Sequence, residues 1–256
     1  MIFDTHAHYD DEAFDEDREA LLNRMQAGGI GRIVNIGANM RTSEMTVELT
    51  KQYDFIYGAV GVHPNDVGEM KEEDLQRLCQ WSGLERIVAI GEIGLDYHYD
   101  EPERTIQFQW FEAQMELARQ VQLPIVVHSR DAAKDTVDLM KACHAEEIGG
   151  VVHCYSYTKE LAREFLNMDY YFGVGGVLTF PNAKKLKEAV EYIPLEKIVL
   201  ETDCPYLAPV PNRGKRNSSL NLPYVAEVLA EIKGLPVEEI EAVTFENGKR
   251  LYRMRE

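Results

Sequence analysis

Eight short runs rich in valine and isoleucine recur along the chain with longer stretches between them, and this recurrence restricts the fold more than any other feature. The runs cover residues 2–6, 32–37, 55–62, 87–92, 124–128, 150–153, 170–174 and 197–202. Their first residues are 20 to 37 positions apart, the shortest step being 150 to 170 and the longest 87 to 124. Every interval exceeds the dozen or so residues that a crossover connection needs, so successive strands can lie parallel. Few charges interrupt the runs, as expected of strands covered on both faces.

The intervals carry helical patterns. Residues 15–27 place Leu21, Leu22 and Met25 on one face ahead of Gly28-Gly29, which predicts a helix there. Residues 105–122 space Phe108, Phe111, Met115 and Ala118 helically and stop before Pro124. Residues 222–233 and 237–252 read as two closing helices split by Gly234-Leu235-Pro236. Strand and helix alternating over 256 residues, with no linker or low-complexity segment, predict an α/β protein. The expected architecture is one TIM (β/α)8 barrel spanning 1–256, with a doubly wound open sheet as the alternative.

With 45% hydrophobic and 28% charged residues, the chain has the composition of a soluble globular protein with a large core. No apolar run is long enough to span a membrane, and Met1-Ile2-Phe3-Asp4 lacks the start of a signal peptide, so a cytoplasmic location without membrane contact is expected. Four cysteines without a C-x-x-C pair exclude a zinc ribbon and make a disulfide framework unexpected. Cys154 and Cys204 are read as small core residues.

The histidines carry the chemistry. His6 and His8 alternate at the end of the first run, so both imidazoles project to one side. At a barrel's C-terminal end that side is the inner mouth. His63, His128 and His153 end the third, fifth and sixth runs, so five of seven histidines stand at predicted strand ends, with Glu92 and Asp203 ending the fourth and eighth. Hydrogen-bonded histidines without metal would need five separate coincidences. Nitrogen ligands mixed with carboxylates suit Zn, Mn or Fe, or Mg where carboxylates dominate. The six candidates His6, His8, Glu92, His128, His153 and Asp203 exceed what one tetrahedral ion uses. Two divalent ions bridged by Glu92 fit better.

Seven ordered motifs resemble those of the TatD family of deoxyribonucleases. They are Met1 to His8, Gly61-Val62-His63-Pro64, Gly91-Glu92-Ile93-Gly94-Leu95-Asp96-Tyr97, Pro124 to Arg130, His153-Cys154-Tyr155-Ser156, Glu201 to Leu207, and Arg213-Gly214-Lys215-Arg216-Asn217; the terminal Glu246 to Tyr252 is similar too. The resemblance implies a TIM-barrel metallohydrolase with Mg- or Mn-dependent DNase activity, often 3′-to-5′ exonucleolytic, whose metal ligands fall on the same six residues. It implies DNA as the partner, single-stranded or at strand ends; no obligate protein partner is evident. Asn65 stands where the family often has a second histidine, Tyr157 where a glycine is common, and Ser218-Ser219 where Glu-Pro is frequent. These departures are expected to bear on substrate fit at the rim rather than on ligation.

Metal-assisted phosphodiester hydrolysis assigns the remaining roles. Asp203 is expected to orient or deprotonate the attacking water besides ligating, and Glu92 to bridge. His63 is assigned to a phosphate oxygen or the leaving group, with plain structural hydrogen bonding as its alternative. Arg130 and the run Arg213-Gly214-Lys215-Arg216 are candidate phosphate contacts, surface ion pairs being the alternative. Asp4 and Glu201, each two residues before a ligand, are expected to fix histidine orientation. Gly173-Val174-Gly175-Gly176 lacks the sequence of a phosphate loop and is read as backbone clearance. A net charge of −17 argues against nucleic acid, but bound cations and a small basic patch would offset it where substrate meets protein. Competing readings are a binuclear amidohydrolase, which would want a carbamylated lysine in place of Glu92, an ester hydrolase editing aminoacyl-tRNA, and a metal-bound binding module without turnover.

Overall fold

A computed structural model describes residues 1–99 and 101–254. The strands are β1 (Ile2–Ala7), β2 (Ile30–Ile36), β3 (Ile56–Val60), β4 (Ile87–Asp96), β5 (Ile125–Arg130), β6 (Gly150–Val152), β7 (Tyr171–Val174) and β8 (Ile198–Leu200), and they pair in parallel in sequence order. The seam between β8 and β1 closes at the top, through a parallel bridge from Ala7 to Cys204 and through the Asp203 N–H donating to the His6 carbonyl at 2.9 Å. The expected TIM barrel is therefore the fold. An open doubly wound sheet would place β1 in the interior of the strand order, which it does not occupy.

The helices are α1 (Arg18–Leu22), α2 (Met40–Gln52), α3 (Glu72–Ser82), α4 (Arg104–Val121), α5 (Ala133–Ala142), α6 (Lys159–Asn167), α7 (Lys184–Tyr192), α8 (Leu222–Lys233) and α9 (Val237–Leu251). Their ends follow local chemistry. Asn39 and Thr42 form a reciprocal capping box at the start of α2. Gly234, at φ 65°, terminates α8, where a left-handed residue favours glycine. The helix expected over 15–27 is shorter. After Leu22 the Arg24 and Met25 N–H groups bond back only three residues, to Leu21 and Leu22, so the backbone tightens into turns that deliver Ile30 to β2.

Burial falls into two layers. The larger cluster lies between strands and helices and contains Leu22, Phe111, Met115, Phe165 and Leu229. The second joins Phe3, Val34, Ala59, Val126, Val151 and Val199 from six different strands, which only the barrel interior can bring together. Leu251 and Tyr252 enter this inner cluster from α9, and the Tyr252 hydroxyl donates to the Thr5 carbonyl at 2.7 Å. The end of the barrel where Phe3 starts β1 is thus plugged, and the opposite mouth is left to the loops. Among the described residues no helix is long and apolar enough to cross a membrane.

Candidate metal centre

The strand ends converge on the carboxylate of Glu92. Its Oε1 lies 2.8 Å from His128 Nδ1 and 2.7 Å from His153 Nε2. Its Oε2 lies 3.6 Å from His6 Nε2 and 3.9 Å from His8 Nε2. Asp203 Oδ1 joins the second pair, 3.3 Å from His8 Nε2 and 3.6 Å from His6 Nε2. All six residues singled out as ligands are therefore in one place, divided into two pairs of nitrogens about the two oxygens of one carboxylate.

Backbone irregularity aims Glu92. The register of β4 against β5 shifts between Ile90 and Ile93, a bulge of the kind that redirects a side chain, and the Glu92 N–H donates to the Gly37 carbonyl at 3.0 Å. Two residues on, Gly94 has φ 152°, and a Cβ there would stand 1.9 Å from the His128 carbonyl oxygen. Only glycine lets β4 approach β5 at the height where His128 faces Glu92.

Hydrogen bonds fix which ring nitrogens are bare. The Ile36 carbonyl accepts from His8 Nδ1 at 2.8 Å, so the proton of neutral His8 sits there and Nε2 offers a lone pair. Asp96 Oδ2 lies 3.0 Å from His128 Nε2, so in neutral His128 a proton held there leaves the Nδ1 lone pair on the side of Glu92. His63 is the reverse case. Its Nδ1 accepts from the Asn65 backbone N–H at 3.1 Å, so Nε2 carries the proton, 3.9 Å from Glu92 Oε1. That tautomer makes His63 a donor toward the mouth rather than a metal ligand.

The donor set fits divalent cations. Two ligand atoms each about 2.1 Å from one ion stand about 3.0 Å apart at a right angle and about 3.4 Å apart at the tetrahedral angle. The Nε2 atoms of His6 and His8 are 3.1 Å apart, and His128 Nδ1 is 3.2 Å from His153 Nε2. At these distances each pair can share a proton as an N–H···N hydrogen bond or share one cation, and the spacing is that of two ligands on a single ion.

Among protein groups alone, burial works against charge throughout the centre, and specific neighbours decide the outcome. For Glu92 it is outweighed by His153 and His128, which hold the carboxyl well below its ordinary range. For His8 the hydrogen bond and charge of Asp203 prevail and push it up to about 10. Burial wins at His6, lowered to about 4 with help from the charge of His153, and at His63, lowered to about 3 with help from His128. Burial also pushes Glu201 up to about 8.

The surrounding residues divide. Glu201 is buried, accepts from the Cys154 N–H, and lies 4.0 Å from His153 Nδ1. Asp4 corrects the expectation that it orients a histidine ring. Its oxygens accept from the Thr202 hydroxyl and N–H, the Ser219 hydroxyl at 2.6 Å and the His6 N–H, so it locks the main chain beside the ligands. Ser219 is accordingly buried and not on the rim, and Tyr157 ties the loop after β6 to β5 by donating to the Ser129 carbonyl at 2.9 Å. Arg216 is also corrected: Nη1 and Nη2 of its guanidinium both donate to the Asp17 carboxylate, at 2.7 and 2.6 Å, which removes its fork from phosphate contact. Arg213 and Lys215 are exposed, Arg213 over the Phe180 ring at 4.4 Å, and exposed Arg130 lies 5.7 Å from the Tyr99 ring. Gly173 gives clearance as read, since a Cβ there would stand 2.0 Å from Glu201 Oε2. Asp96 was given no role from sequence, although its place four residues after Glu92 on one strand is a signal for it.

A barrel whose mouth gathers four imidazole nitrogens around two carboxylates defines a metal-dependent hydrolase. The chain belongs to the TatD family: residues 3–253 match the family described as TatD related DNase. It is 47% identical over 254 residues to the "Uncharacterized metal-dependent hydrolase YabD" of Bacillus subtilis, covering 99% of this chain and 100% of that one. It is 34% identical to the "Uncharacterized metal-dependent hydrolase YcfH" of Escherichia coli, covering 98% and 96%. The crystal structure of YjjV, a TatD homologue from Escherichia coli, superposes with a TM-score of 0.92 at 30% identity, covering 99% and 98%.

Proposed function

We propose that the protein is a DNase that cleaves phosphodiester bonds at single-stranded ends, in the 3′-to-5′ direction, with two divalent ions bridged by Glu92. The observation that carries this reading is the division of four imidazole nitrogens between the two oxygens of one carboxylate. The family match supports DNA as substrate. Divalent cations held there would supply Lewis acidity, activating water near neutral pH and neutralising charge on the phosphate. Asp203 is the carboxylate that reaches the open side, its side chain 19% exposed against 5% for Glu92, and it takes the proton of the attacking water. His63 donates from Nε2 to the phosphate or the departing oxygen. Exposed Arg130, Arg213 and Lys215 offer the cationic rim that an otherwise acidic chain needs for a polyanion. The recessed carboxylates favour a strand end, which can enter the mouth, over the interior of a duplex.

Single-stranded DNA labelled at either end decides the matter. With Mg or Mn, the 5′-labelled strand is expected to give a ladder of shortening products, the 3′-labelled strand to release label at once, and chelator to stop both. Intact DNA at every metal concentration rejects the reading, and release of the 5′ label first reverses the direction.

His63→Ala is expected to lower kcat by about 10²–10³, the usual cost of losing one donor aimed at developing charge. Metal content is expected to stay unchanged, since the protonated Nε2 is not a ligand atom. His63→Gln, which keeps an N–H, recovers part of the rate. Because His63 is held neutral by burial and nearby cations only oppose its charging, no limb of the pH profile between 5 and 8 belongs to it. Metal loss in His63→Ala, measured by elemental analysis, would make it a ligand instead.

A further inference from the structure

Three buried polar atoms at the centre have no hydrogen-bond partner among the described residues: His6 Nδ1, His153 Nδ1 and Glu201 Oε2. A ring nitrogen of each histidine and an oxygen of Glu201 lie within 4.8 Å of one another, and all three residues are buried. We propose that Glu201 is one positioning carboxylate shared by His6 and His153, coupling the two halves of the metal centre. This rests on the binuclear reading of the centre and not on the identity of the substrate.

The two histidines serve opposite halves. His6 Nε2 faces Glu92 Oε2, whereas His153 Nε2 faces Oε1. Their rings are nonetheless stacked, 4.1 Å apart and tilted by 13°. With Nε2 turned toward the cations, each ring's remaining proton belongs on Nδ1, and a buried N–H requires an acceptor. His8 has the Ile36 carbonyl and His128 has Asp96. For His6 and His153, Glu201 is the carboxylate at hand. Its Oε1 already lies 4.0 Å from His153 Nδ1, within reach of a small rotation or one bridging water. The Cys154 N–H holds the carboxylate from one side, and the bare Cα of Gly173 leaves the room in which it sits. Losing an acceptor of this kind weakens metal binding by about 10–100-fold. Asp96 serves His128 alone, so its loss falls on one half. Loss of Glu201 falls on both.

The test is titration of the metal-free full chain with Mn, scored by calorimetry, for wild type, Glu201→Gln and Asp96→Asn, with the visible spectrum of the Co-loaded proteins as a second readout. Wild type is expected to bind two ions. Glu201→Gln is expected to weaken both steps by about 10–100-fold and to alter the Co bands, while Asp96→Asn weakens one step. Glutamine keeps the shape and the acceptor for Cys154, so the thermal unfolding of the metal-free variant is expected to match wild type; if it does not fold, Glu201→Asp replaces it under the same criteria. Two unchanged steps, or one weakened step, in the Glu201 variant overturn the proposal. A single ion in wild type overturns the binuclear reading itself, and the proposal with it.

Discussion

Glu92→Ala is expected to remove essentially all hydrolysis, a fall of about 10⁴-fold or more, equivalent to at least about 5 kcal/mol of transition-state stabilisation. The size follows from where the carboxylate stands. Both pairs of imidazole nitrogens face it; Asp203 lies beside His6 and His8, whereas Asp96 and Glu201 meet His128 and His153 at the ring nitrogens turned away from Glu92. Without Glu92 the pair at His128 and His153 keeps two neutral ligands, too few to hold a divalent ion against water. Glu92→Asp is the sharper variant. It retracts the carboxylate by about one C–C bond, 1.5 Å, so it can serve one pair and not the other. One ion per chain and a large loss of kcat are expected of it, against two ions in wild type. Elemental analysis beside steady-state kinetics checks both variants, and two tightly held ions in Glu92→Ala would refute the bridging role.

The clustering of the candidate ligands was legible because a parallel barrel brings the C-terminal ends of its strands together whatever their separation in sequence. His6, His128 and His153 needed no contact information, only the recognition that each ends a strand. Period two then put His8 on the side of His6. Strand lengths were less legible. β4 continues to Asp96, four residues past its expected end, because the shift between Ile90 and Ile93 keeps the ladder running beyond Glu92. Asp96 therefore reaches His128 from the same strand that presents Glu92.

Other roles depended on partners that local pattern does not encode. The tautomer of His63 is set by a main-chain N–H two residues on, so nothing in the identity of Asn65 announced it. Arg216 belongs to the one dense basic run, yet Asp17 in the loop before α1 takes its fork, a pairing across 199 residues. Asp4 stands two residues before His6, yet its carboxylate turns to Thr202 and Ser219, since the seam between β8 and β1 leaves main-chain N–H groups that need an acceptor. The helix over 15–27 had the right apolar face. The short path from the mouth back to β2 overrode it.

Asp203→Asn is expected to lower kcat by about 10²–10⁴, the range over which a positioned proton acceptor contributes. The variant is a fair test because of its backbone. Asp203 has φ 56°, a left-handed conformation that Asp and Asn tolerate and most residues do not, so asparagine keeps the loop where alanine would strain it. The amide retains one oxygen toward His6 and His8 but cannot take a proton. Asp203 is suited to taking one: burial opposes its charge, yet the His8 hydrogen bond and the nearby imidazoles hold its carboxyl below the ordinary range, so it is ionised throughout neutral pH. Its exposed face is the one a water and a phosphate can both approach. Asp203 pairs with His6 and His8, so an ion held at His128 and His153 is expected to remain in Asp203→Asn, whereas Glu92→Ala loses it. Metal analysis and kcat therefore separate the two carboxylates. Near wild-type turnover in Asp203→Asn, with both ions bound, would leave the proton without its acceptor and assign that step to another group.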